Sequence, residues 1–172
     1  MLPDTAKNIA LTGFMAVGKT AVGRKLAQRL AWRFVDLDRA IEAAAGMKVQ
    51  EIFKRDGEAH FRKLEKQKLR EILVGERQVI ATGGGAVLDD ENLSLLKEKA
   101  LLVCLKANPE TLLGRARSGA KRPLLDVADR AGRIRELLSK REAAYAKAHA
   151  TVATDGAAVD DVVERIMKII EA

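Results

Sequence analysis

The sequence predicts an α/β fold in which a parallel β-sheet is covered by helices on both faces. Three observations carry that expectation. Short apolar segments alternate with stretches whose apolar residues recur at helical spacing along the whole chain. A glycine-containing turn, "GFMAVGKT", joins the first apolar segment to the first helical one. The chain of 172 residues, 48% of them hydrophobic, is long enough for one domain with a proper core and too short for two comfortable ones. No internal repeat and no linker divides it, so residues 1–172 read as a single domain.

The elements follow in order. Residues 8–12 read as a buried strand, and 19–30 as a helix with Val22, Leu26 and Leu30 on one face. Residues 33–36 form a second strand, and 38–45 a helix closed by Gly46. A short helix over 49–55 stops near Gly57. A longer one over 58–74 turns Phe61, Leu64, Leu69, Ile72 and Leu73 inward. Residues 78–81 are a strand running into "TGGG", 89–97 are helical, and 101–106 are a strand. Asn108 and Pro109 read as an N-cap and a first-turn proline, so a helix runs toward Arg117. Residues 118–127 are polar and break the pattern. Helix 129–147, strand 151–153 and helix 158–170 complete the chain.

Composition bounds the function. Aromatic residues make up 3%, so the core is aliphatic and stacking platforms for single-stranded nucleic acid are scarce. The net charge of +7 is spread among interspersed acids, which suits small polyanionic ligands better than a nucleic-acid partner. Cys104 is the one cysteine, inside an apolar run; it fits a reducing compartment and, with His60 and His149 far apart in sequence, makes no zinc pattern. The first residues show no secretory pattern, and no apolar run approaches the length of a membrane span. A cytoplasmic protein without membrane or nucleic-acid partners is expected, with a monomer as the default.

Gly13-x-x-x-x-Gly18-Lys19-Thr20 lies between a predicted strand and a predicted helix, the context a phosphate-binding loop requires. The glycines let the backbone turn where a Cβ would clash. The loop's N–H groups and the helix N-terminus face a phosphate chain. Lys19 then supplies a mobile charge to the outer phosphates and Thr20 a hydroxyl to Mg²⁺. The alternative is a plain glycine turn capped by a helix. A bound nucleoside triphosphate needs an acceptor, and several segments are candidates to hold it. "FVDLDRAIE" puts Asp36 and Asp38 two apart at the end of the second strand, on one side of it. One carboxylate can serve the metal and the other accept a proton from a hydroxyl, unless Asp38 is merely an N-cap. Gly83, Gly84 and Gly85 follow the third strand, and three glycines fit a backbone that approaches a ligand closely. Arg62, beside Phe61, could grip a carboxylate or be a solvated helix charge. Arg122 could be a lid arginine near the hinge Gly119 or part of a basic loop. Arg141 on the long helix is equally open.

The combination "GFMAVGKT", "DLDRAIE", "IFKRDGEAHFRKLE", "TGGGAV", "KRPLL" and "KREAAY" resembles the shikimate kinases along nearly the whole chain. The resemblance implies a three-layer P-loop kinase fold with a five-stranded parallel sheet in order 2-3-1-4-5. It also implies a lid at about 118–127 and a substrate-binding segment at about 37–65. The implied activity is phosphoryl transfer from ATP to the 3-hydroxyl of shikimate, with Mg²⁺. The implied catalytic residues are Lys19, Asp38 and Arg122. ATP would meet Gly13, Ala16, Val17, Gly18, Lys19, Thr20, Ala21, Arg122 and an adenine-stacking arginine, either Arg115 or, by preference, Arg117. Shikimate would meet Asp38, Arg62, Gly83, Gly84, Gly85 and Arg141; the metal would meet Thr20 and Asp36. Ala16 stands where the family often has glycine, and Ala143 where it usually has proline. A gluconate-type kinase is the rival within the class. A P-loop switch without a small acceptor is the rival outside it.

Overall fold

The computed structural model describes residues 6–117, 123–125 and 127–172, the side chains of Arg117 and Pro123 excepted. Five parallel strands run in the order β2-β3-β1-β4-β5: β1 Asn8–Gly13, β2 Arg33–Asp36, β3 Gln78–Ala81, β4 Ala100–Lys106 and β5 Ala150–Ala153. β1 is central, pairing with β3 through Ile9↔Val79 and with β4 through Leu11↔Val103. Its six residues are all buried, as expected of a strand covered on both faces.

Seven helices flank the sheet among the described residues: α1 Lys19–Leu30, α2 Leu37–Ala45, α3 Val49–Ile72, α4 Asp90–Lys99, α5 Pro109–Arg117, α6 Arg130–Tyr145 and α7 Val159–Glu171. The aliphatic core expected from the composition is present, with Ile9, Leu11, Leu26, Ile80, Leu102 and Leu105 fully enclosed.

The predicted break between two helices at Gly57 is real. α3 runs through it with φ 86° and ψ 170°, a conformation essentially confined to glycine. Short 3₁₀ turns at Ala86–Leu88 and Pro123–Leu125 have no signal in the apolar periodicity. α6 begins one residue later than expected because Asp129 stays outside as N-cap, accepting from Gly132 N at 2.9 Å. The strand order makes neighbours of the segments that leave β1, β2 and β3. The carboxyl ends of these strands therefore converge on one edge of the sheet, where open α/β folds bind ligands.

Candidate active site

The loop between β1 and α1 depends on unusual backbone angles. Gly13 has φ 135° and Gly18 φ 106°. A Cβ on Gly13 would also lie 2.3 Å from the Leu105 carbonyl oxygen of β4. Ala16 holds φ 66°, so the loop accommodates a non-glycine in the left-handed region. No side chain caps α1, whose first N–H groups face the loop. Lys19 Nζ folds back to donate to the carbonyls of Gly13 (2.5 Å) and Phe14 (3.1 Å).

Thr20 Oγ1 donates to Asp36 Oδ2 at 3.2 Å, while Asp36 Oδ1 accepts from Arg39 N and caps α2. The expectation that Asp36 and Asp38 project from one strand needs correction. β2 ends at Asp36, α2 starts at Leu37, and Asp38 lies in its first turn. The N-cap is Asp36, not Asp38. The two carboxylates come close because a helix starts there, not because a strand alternates.

Asp38 Oδ1 is buried without a protein partner. Burial pushes its carboxyl above the usual carboxylate range. The charge of Asp36 adds to this, while Lys19 and Arg62 pull the other way.

The three glycines serve close approach rather than a strained turn. A Cβ on Gly83 would fall 2.9 Å from Glu65 Oε2 and 3.2 Å from Asp38 Oδ1. One on Gly84 would lie 3.0 Å from Arg141 Nη1, and one on Gly85 2.5 Å from Arg62 Nη2. Each glycine leaves room for a charged side chain of the site.

Arg62 donates to both Glu65 oxygens (2.9 and 3.2 Å) and to Glu58 (3.3 Å), and its guanidinium lies over Phe61. Burial disfavours its charge, but Glu65 and Glu58 outweigh that and hold it above its ordinary value. Glu65 itself is 1% exposed; burial pushes its carboxyl up against the pull of Arg62. Sequence reasoning missed Glu65. The signal is its spacing: it stands four residues after Phe61 and four before Leu69, an acid on an otherwise apolar buried stripe. Arg141 occupies the same kind of position on α6, on a stripe with Ile134, Leu137 and Tyr145. It is 2% exposed, stacks over Phe14, and has a buried Nη1 without a protein partner.

Two cavities meet here. The larger, about 1060 Å³, brings together Asp38, Arg62, Glu65, the three glycines and Arg141. The smaller, about 360 Å³, is lined by Ala16, Gly18, Lys19, Thr20, Ala21 and Arg115. Met15, Thr20, Asp36, Asp38, Gly83 and Gly84 line both, so the seam between them carries the acids and the P-loop hydroxyl. Arg115 also donates to Val17 O (3.1 Å) and to Thr154 O and Oγ1 (both 3.2 Å), joining the loop to the end of β5. Arg117 ends α5, but its side chain lies outside the described residues, as does all of Arg122.

A phosphate-binding loop that shares a seam with a cavity of paired acids and arginines defines a P-loop kinase with a small acceptor. Comparison with known proteins specifies the family. The family model for shikimate kinase matches residues 15–171. The shikimate kinase of Thermodesulfovibrio yellowstonii is 45% identical over 162 residues, 94% of either chain, and that of Symbiobacterium thermophilum 48% over 164 residues, again 94% of each. Among solved structures, a shikimate kinase from Acinetobacter baumannii in complex with shikimate superimposes with TM-score 0.92 at 38% identity, covering 97% of this chain and 94% of that one. The chain belongs to the shikimate kinase family of ATP-dependent kinases.

Proposed function

We propose that the chain transfers the γ-phosphoryl group of ATP to the 3-hydroxyl of shikimate, giving ADP and shikimate 3-phosphate, with the residues at the cavity seam in defined roles. The observation that carries this reading is that two residues lining one cavity, Asp38 and Arg141, each hold a buried polar atom without a protein partner, Oδ1 and Nη1. One accepts and the other is a cationic donor. A hydroxylated carboxylate satisfies both.

The smaller cavity takes the phosphates of ATP along residues 13–21, with Arg115 at its wall as one candidate for the base. Thr20 and Asp36 present two hard oxygen donors side by side, a set that suits Mg²⁺ completed by phosphate oxygens and water. When bound there, the cation neutralises phosphate charge. Lys19 leaves its loop carbonyls to accompany the transferred group. Arg62 and Arg141 grip the acceptor carboxylate, and Asp38 orients the 3-hydroxyl and takes its proton. A carboxyl raised by burial is a better base than an ordinary one. Arg122 and most of the expected lid at about 118–127 lie outside the described residues; the role of Arg122 on the phosphates rests on the resemblance alone. Most of the catalysis is positioning and electrostatics around an in-line transfer.

Among the described residues no helix is long and apolar enough to cross a membrane. A monomeric cytoplasmic enzyme is our working picture. ADP release with shikimate, gluconate and no acceptor tests the whole reading. Release with shikimate alone is expected. Release with gluconate favours the rival kinase, and equal release without any acceptor overturns the acceptor cavity.

A further inference from the structure

The three carbonyls of the glycine loop each have a protein partner. Gly83 O accepts from Ala86 N (3.2 Å) and Gly85 O from Leu88 N (3.2 Å), both within the following 3₁₀ turn. Gly84 O accepts from a different element: the Tyr145 hydroxyl at the end of α6 donates to it at 2.6 Å. Tyr145 is buried and does not line the acceptor cavity, although Gly84 and Gly85 do. Its phenol is pushed up to about 12 by burial, with Arg141 opposing, so it stays a protonated donor across the working range.

We propose that Tyr145 is a positioning residue for the acceptor: its hydroxyl fixes the plane of the Gly84–Gly85 peptide so that the Gly85 N–H faces the cavity and donates to the acceptor carboxylate beside Arg62 and Arg141. The reasoning is geometric. In a trans peptide the carbonyl and the following N–H point in opposite directions. A carbonyl drawn to Tyr145, behind the cavity wall, turns its N–H to the other side. With no Cβ on any of the three residues, side-chain packing of the loop itself does not hold the plane. Tyr145 stands four residues after Arg141, on the same helical face, so one helix end sets both the arginine and the amide.

This rests on the acceptor reading above, and the test separates the two. Tyr145→Phe removes the hydroxyl and keeps the ring. Steady-state kinetics should show the KM for shikimate raised about three- to tenfold, the worth of one hydrogen bond, a change larger than any in kcat or in the KM for ATP. With the analogue in which a hydroxymethyl group replaces the carboxylate, wild type and variant should have the same KM. An unchanged shikimate KM, or an equal rise with the analogue, overturns the proposal in favour of a purely structural tyrosine. If the wild type itself releases no ADP with shikimate, the acceptor reading falls. The loop can still be judged by amide NMR of the ligand-free protein. A displaced Gly85 resonance in Tyr145→Phe supports the fixed peptide plane, and an unmoved one refutes it.

Discussion

Gly85→Ala isolates what the glycine loop is for. Gly85 has φ −104° and ψ 0°, angles an alanine can adopt, so the backbone has no reason to resist. The added Cβ instead meets Arg62 Nη2 at 2.5 Å and Cζ at 2.8 Å. Ordinary contact begins at 3.4 Å, so the guanidinium has to retreat by about 0.9 Å. That movement breaks or stretches its bonds to Glu65, now 2.9 and 3.2 Å long, and withdraws its fork from the cavity. A charge-assisted hydrogen bond contributes about 1.5–3 kcal/mol, so shikimate affinity should fall about ten- to a hundredfold. A flexible side-chain end absorbs the clash, so the fold should survive, but the loosened pair leaves the buried Glu65 less well satisfied and the melting temperature should fall as well. Calorimetric titration of shikimate beside a thermal melt measures both. Gly13→Ala is the contrast: its Cβ meets a strand backbone at 2.3 Å with φ 135°, and that variant should fail to fold. The decisive control is Gly85→Ala on an Arg62→Ala background. If the alanine acts by displacing the arginine, it should add almost nothing there. A folded Gly85→Ala with normal affinity, or an equal loss on both backgrounds, refutes the reasoning.

Three further outcomes are expected. Lys19→Ala should keep its fold and lose about 10²–10³ in kcat, measured by ADP release, because the charge that travels with the phosphoryl group is gone. Asp38→Asn should lose about 10²–10⁴ in kcat/KM yet melt at or above the wild-type temperature at neutral pH. The folded-state carboxyl is raised, so its ionisation opposes folding at high pH, and the gain should vanish below the ordinary value of 3.8. His149 Nδ1 accepts from Leu102 N at 3.0 Å, and burial, then Lys97, depresses its protonation. The unfolded chain therefore binds more protons below the ordinary 6.5, and wild-type stability should fall as pH drops through that value. His149→Asn, a neutral acceptor, should be flatter across the same window in pH-dependent melts.

The parts of the site legible in the sequence are those that backbone geometry dictates. Gly13 and Gly18 mark positive φ between a buried strand and a helix, and the loop could be read without tertiary knowledge. Asp36 and Asp38 were also legible as a pair, though for the wrong physical reason: a helix start brings them together, and the spacing of two would have looked alike in either case. The glycine triplet announced a close approach but not to what; the side chains that fill the space come from α2, α3 and α6, far away in sequence. Arg62 and Arg141 were ambiguous in isolation because a charge on a helix is ordinarily solvated. What distinguishes Arg141 and Glu65 is phase: both sit in register with apolar residues that face inward. A charged residue in phase with the core is the sequence mark of a buried ionic site, and reading α3 that way would have found Glu65.

That phase rule also explains why such a site is tolerated. Among the charged residues lining the two cavities, Lys19, Arg62 and Arg141 stand with Asp36, Asp38 and Glu65. Burying charges is unfavourable unless they are paired and hydrogen-bonded. Most of these are: Lys19 on its loop carbonyls, Asp36 between Thr20 and the start of α2, and Glu65 with Arg62. The pairing is incomplete at two buried atoms, an acceptor on Asp38 and a cationic donor on Arg141. On the proposed reading, a molecule that presents a hydroxyl to one and an anion to the other completes both. Apolar residues at these two positions would relieve the deficit and add stability, yet would leave nothing for the acceptor to complete. On that reading, the cost in stability and the selectivity for the acceptor arise from the same two atoms.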